Sequence, residues 1–273
     1  MNNQSSRVFP KPFESAFLFL LAIGLNFLFA LIAGRFLIDL IPLEAYTWAN
    51  HLFAYGLTVA TGLFFYRKKG NSIRNVFKKN DFCWCMTGSI IILSLLAVIL
   101  LWPCLVWLIP PGAMEMFVLF YTSRSIFLLP ALLITGPILE EILFRGLILK
   151  GSLNAFSPFK AIAFSSLLFA FSHTTPPQLL SGLIVGGAIG WICYKTGSLI
   201  PGILAHVAFN FGNYILRFIY DDAYIEGMLR GTEGFISGVS WYIPWMVALL
   251  LTGGIGYYLY RQVMAHTYPL MDQ

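Results

Sequence analysis

The side chains in this chain that can do chemistry are few, and they sit where such side chains are expensive. Ile138-Leu139-Glu140-Glu141-Ile142-Leu143-Phe144-Arg145-Gly146 puts two adjacent carboxylates and a guanidinium into an apolar run. An ionisable group within a membrane span costs roughly 2.5–3.5 kcal/mol on insertion scales and is a functional candidate by default. On a helix at about 100° per residue, Glu141 and Arg145 differ by only about 40° in direction and can pair. Glu140 lies about 140° from Arg145 and faces elsewhere. The pair neutralises one acid and leaves Glu140 for chemistry.

Two further pairs stand at helical spacing. His173 closes an apolar run four residues after Phe169, which puts an aromatic wall beside the imidazole. His206 and Asn210, also four apart, share a face of another apolar run. Each pair has a plain structural reading. The acids can be one paired and one protonated, His173 can be an interfacial histidine, and His206 with Asn210 can bond a neighbouring helix. Together they suit water-dependent hydrolysis of a carbonyl. A glutamate can act as general base on water, and a histidine can orient that water or pass the proton to the leaving amine. Asn and a second His can donate hydrogen bonds to the tetrahedral oxyanion. There is no G-x-S-x-G, no H-E-x-x-H and no obvious serine nucleophile. His51 and His266 attract no hypothesis. Cys83, Cys85, Cys104 and Cys193 lie in or beside apolar runs without metal or disulfide spacing, and read as small hydrophobes.

The elements that must position these groups are helices in a membrane. Of the 273 residues, 58% are hydrophobic and 11% charged, against about 25% charged in a soluble domain. That composition excludes a soluble enzyme, a disordered regulator and a nucleic-acid-binding module. The unbroken apolar runs, about 16–25 residues long, favour helices over a barrel. Eight spans are predicted, at about 16–38, 49–66, 83–108, 126–149, 158–174, 178–194, 199–219 and 240–260. The first resembles a signal peptide, but its core, Ala16 to Ala33, is long and lacks an A-x-A-like exit, so it reads as a retained anchor. Residues 111–124, with Met114, Phe117, Phe120 and Tyr121, read as an interfacial segment, and 220–239 as a polar loop.

Charge sets the expected orientation. Arg7, Lys11, Arg67, Lys68, Lys69, Arg74, Lys78, Lys79, Lys150, Lys160, Lys195 and Arg261 fall on one side, 12 of the 17 basic residues. Only Arg124, Arg217 and Arg230 fall on the other, with most of the acids. By the positive-inside rule both termini are cytoplasmic. At 1.5 Å per residue from the inner ends, Glu140 lies about 14 Å deep, His173 about 22 Å and His206 about 10 Å. These depths admit one embedded pocket. The stripe Gly182-x-x-x-Gly186-x-x-x-Gly190 reads as close helix packing around it.

The three pairs, in order, resemble the CPBP (ABI) family of intramembrane endopeptidases, which includes CAAX prenyl proteases of type 2 and bacteriocin-processing enzymes. The motif E-E-x-x-x-R corresponds to Glu140, Glu141 and Arg145, F-x-x-x-H to Phe169 and His173, and H-x-x-x-N to His206 and Asn210. The likeness covers about residues 126–215. It implies that Glu140 activates water with help from His173. It also implies that His206 and Asn210 form an oxyanion hole, and that Glu141, Arg145 and Phe169 support the site. Members have carried a metalloprotease label, and a Glu with two His can bind zinc. Asn is a poor zinc ligand and no pair lies at zincin spacing, so a metal-free glutamic mechanism without cofactors is expected.

The expected architecture is an all-α polytopic bundle of about eight transmembrane helices. Residues 1–125 hold helices one to three and the interfacial segment. Residues 126–219 form the catalytic core, helices four to seven, and 220–273 the polar loop, last helix and tail. The expected substrate is a peptide or lipidated protein, cut near its C-terminus, with membrane lipid the other partner and no nucleic acid. The expected place is the plasma membrane of a prokaryote. Two other readings are a non-catalytic bacteriocin-immunity or partner-binding protein of the same fold, and a proton-coupled transporter, for which no internal repeat speaks.

Overall fold

The apolar runs of the sequence become helices at nearly the expected bounds. The computed structural model describes residues 8–77, 84–107, 123, 125, 127–173, 175–219, 221–230, 240 and 242–265. Among these there is no strand. The helices are α1 (Pro12–Leu37), α2 (Leu43–Lys68), α3 (Trp84–Trp107), α4 (128–152), α5 (Pro158–Phe171), α6 (Pro176–Thr196), α7 (Ile200–Ile219), α8 (Asp222–Leu229) and α9 (Tyr242–Ala265). Each of the eight predicted segments coincides with one of them. By length and apolar composition, α1, α6 and α9 are able to cross a membrane. The interfacial segment expected at 111–124 lies outside the described residues but for Ser123.

A short polar element departs from the sequence reading. Within the expected polar loop, Asp222–Leu229 is helical. Asp221 Oδ1 accepts the Tyr224 backbone N–H at 2.7 Å, an N-cap bond, and Arg230 pairs with Glu226 one turn away at 2.7 Å. Ile225 is its buried anchor. Polarity hid a short capped helix.

The helices are arranged around α4. Its segment Ile142–Leu149 is buried at every position, packed against α2 on one side and α5 on the other, while Gly136–Glu141 packs against α2 and α7. The main core joins Leu18 of α1, Ala54 and Tyr55 of α2, Phe144 and Leu147 of α4, Phe169 of α5 and Ile189 of α6. Further out, α1 buries only Ser15, Leu18 and Ala22, and turns Phe13, Leu20, Phe27, Leu31 and Phe36 outward. A soluble protein rarely exposes contiguous apolar area on this scale. With three span-length apolar helices, the outward face is that of a membrane protein.

The expected packing role of the glycine stripe holds. A Cβ on Gly182 would meet the Ala170 backbone at 3.2 Å, one on Gly186 the Phe169 ring at 3.0 Å, and one on Gly190 the Ile162 side chain at 3.2 Å. The stripe seats α5 on α6. Proline starts α6 at Pro176, where its missing N–H costs nothing. Gly197, at φ +63°, ends it in the left-handed conformation and returns its N–H to Cys193 O at 2.9 Å. That sharp reversal brings α7, with His206, back against α6.

Candidate active site

The site grows from an irregular helix. A regular α-helix is predicted across the fourth segment; instead α4 alternates between α and π geometry, with π turns at Ala131–Thr135 and Ile142–Leu149. Pro137 has no N–H to give to the preceding turn. Just before it, Gly136 N–H reaches back five residues to Ala131 O. A Cβ at Gly136 would stand 2.5 Å from that oxygen, so the wide turn requires glycine there. π turns inside α-helices are frequent at functional sites. Here they bracket the two glutamates.

Glu141 is locked. Its Oε1 accepts from Arg145 Nη1 at 3.1 Å and from His206 Nδ1 at 2.9 Å. Arg145 Nη2 donates to Gly186 O at 3.0 Å, and the guanidinium carbon sits 4.5 Å from the centre of the Phe169 ring. The side chains of Glu141 and Arg145 are both fully buried. The predicted Glu141–Arg145 pair is therefore present, and it reaches two further helices, α6 through a backbone carbonyl and α7 through His206.

Glu140 faces a different neighbourhood, as the helical wheel predicts. Its Oε2 lies 3.6 Å from His206 Nε2, and its Oε1 3.4 Å from His51 Nε2. Glu141 accepts the hydrogen bond from His206 Nδ1, and Nε2 of that ring faces Glu140. One imidazole thus bridges the two acids. The other imidazole, His51 of α2, is a group that sequence reasoning passed over. Its only signal was a histidine one helical turn before Tyr55 in an apolar run.

Phe169 stands between the remaining histidines. Its ring meets His173 edge-on at 5.0 Å and His206 edge-on at 5.6 Å, so the predicted aromatic wall serves both. His173 Nδ1 is 3.0 Å from Phe169 O. A carbonyl only accepts, so that nitrogen carries the proton and Nε2 holds the lone pair. His173, Glu140 and His206 all lie near His51. Asn210 is half-buried one turn along α7 from His206. Glu140, Glu141, Arg145, Phe169, His173 and His206 are thus brought together from α4, the end of α5 and α7.

Among the described residues no three His, Cys, Asp or Glu side chains form a group able to hold a metal ion.

A helical membrane protein with a buried carboxylate pair flanked by histidines defines the class. Residues 122–212 match the family model described as type II CAAX prenyl endopeptidase Rce1-like. The match agrees with the motif resemblance, and the matched stretch contains every motif residue from Glu140 to Asn210. The family is one of endopeptidases, that is, hydrolases. No curated protein and no solved structure matches the chain.

Proposed function

We propose that the protein is an intramembrane endopeptidase that hydrolyses a peptide bond with water activated by Glu140. The observation that carries this reading is the division between the two acids. Glu141 spends its accepting oxygen on Arg145 and His206, whereas neither Glu140 oxygen is so occupied, and each faces an imidazole. Glu140 takes a proton from water as the hydroxyl oxygen bonds to the scissile carbonyl carbon. The carbonyl oxygen becomes an oxyanion, stabilised by His206 and Asn210. The C–N bond then breaks as the proton, relayed by Glu140 or His173, passes to the departing amine. Glu141, Arg145 and Phe169 hold His206 and the helix in place.

The family points to prenylated or otherwise membrane-associated proteins cut near the C-terminus. An apolar anchor beside the cleavage point suits a site in an embedded pocket. On this reading the eight apolar helices are spans in a prokaryotic plasma membrane with both termini cytoplasmic, and the pocket is within reach of the cytoplasmic leaflet.

The test is purified wild type and Glu140→Gln in detergent, incubated with peptides that include farnesylated CAAX sequences and read by mass spectrometry with and without a chelator. Cleavage by wild type alone, indifferent to chelator, is the expected result. Loss on chelation would make the site a metal centre. A cellular phenotype that Glu140→Gln leaves intact would make the protein a non-catalytic binding or immunity protein.

A further inference from the structure

We propose that His51 is a positioning residue of the hydrolytic site, whose imidazole fixes Glu140 Oε1 so that Oε2 is the oxygen that takes the proton from water. This rests on the reading of Glu140 as the base.

His51 comes from α2, outside the matched family domain, yet its Nε2 stands 3.4 Å from Glu140 Oε1. That nitrogen is buried and takes no hydrogen bond among the described residues. A buried polar atom without a partner is costly, and such atoms at a site often gain their bond only when substrate closes it. The ring is also held from both sides. One turn later, Tyr55 stacks on it at 4.2 Å and 16°. Three residues earlier, Trp48 Nε1 donates to Thr135 Oγ1 at 3.0 Å, tying α2 to the π turn just before the glutamates. The ring lies beside that turn: a Cβ on Gly136 would stand 3.9 Å from His51 Nε2, in ordinary contact. Two helices and two anchors therefore aim one nitrogen at one carboxylate oxygen. With Oε1 held by Nε2–H, Oε2 is left on the His206 side, where the oxyanion donors lie. The titratable groups that face His51 are Glu140 of α4, His173 after α5 and His206 of α7.

The full chain in detergent tests this with two variants and one spectrum. His51→Phe keeps the stack on Tyr55 and removes the nitrogen; His51→Gln restores an N–H near the Nε2 position. We expect His51→Phe to lower kcat about tenfold or more with KM within about twofold, and His51→Gln to recover most of the loss. If wild type cleaves and Glu140→Gln does not, yet His51→Phe matches wild type, His51 only packs and the proposal fails while the glutamate reading stands. The second measurement does not depend on turnover. In histidine-15N spectra, assigned through His51→Phe, Glu140→Gln moves the His51 ring resonances and the control Glu14→Gln at the α1 N-terminus does not. Resonances unmoved by Glu140→Gln overturn the proposal whatever the peptides show.

Discussion

The two faces of α4 carry the same side chain one residue apart and treat it in opposite ways. On the Glu141 face the carboxylate is fully buried, and its bonds to arginine and histidine are short, at 3.1 and 2.9 Å. On the Glu140 face the side chain keeps 11% of its surface open, and the facing imidazoles stand off at 3.4 and 3.6 Å. A buried charge held by an excellent partner is fixed in one state, and removing the partner is ruinous. A carboxylate with unfinished contacts can still change its bonding during a reaction. Burial and pairing, not residue type, separate the two acids, and in the proposed mechanism the open one is the base.

That contrast can be broken from either face. The largest effect is expected on the open one: Glu140→Gln lowers the cleavage rate by about 10²–10⁴, the usual span for loss of a general base, while circular dichroism and the elution profile in detergent stay those of wild type. On the closed face the damage falls on stability. Arg145→Met leaves Glu141 charged and buried without its guanidinium, and is expected to cost about 3–5 kcal/mol, read as a large fall in Tm in detergent. A smaller loss sharpens the same point. In Gly186→Ala the added Cβ stands 3.0 Å from the Phe169 ring and 3.1 Å from Arg145 Nη2, an overpacking worth about 1–3 kcal/mol. The lower bound of the series is the exposed pair of α8, where Glu226→Ala removes a surface ion pair and is expected to change stability by less than about 1 kcal/mol.

Much of this contrast could be read from spacing alone, because helical pairs four residues apart announce themselves. Glu141 with Arg145, Phe169 with His173, and the divergence of Glu140 all follow from one wheel. The eight apolar runs locate their helices for the same reason: length and apolarity are local properties. The rest is not local. His51 reaches Glu140 only because Trp48 and Tyr55 dock α2 on α4, and no spacing within α2 encodes that contact. His206 bridging both acids depends on the left-handed turn at Gly197 that returns α7 to the core. The π turns were hidden because a wheel presumes a constant angle per residue. Gly136-Pro137 was the local sign that the angle changes. The helix Asp222–Leu229 was missed for the reverse reason, its polar composition outweighing an Asp cap and a Glu226–Arg230 pair that were both present in the sequence.

The most direct test of water activated by Glu140 is a single turnover in H₂¹⁸O with enzyme in excess over a cleavable peptide. Direct attack by water predicts one ¹⁸O in the new C-terminal carboxylate of the product from the first turnover, with none in the protein. An unlabelled product together with ¹⁸O in Glu140 would contradict it, because the glutamate would then be a nucleophile that forms an anhydride rather than a base.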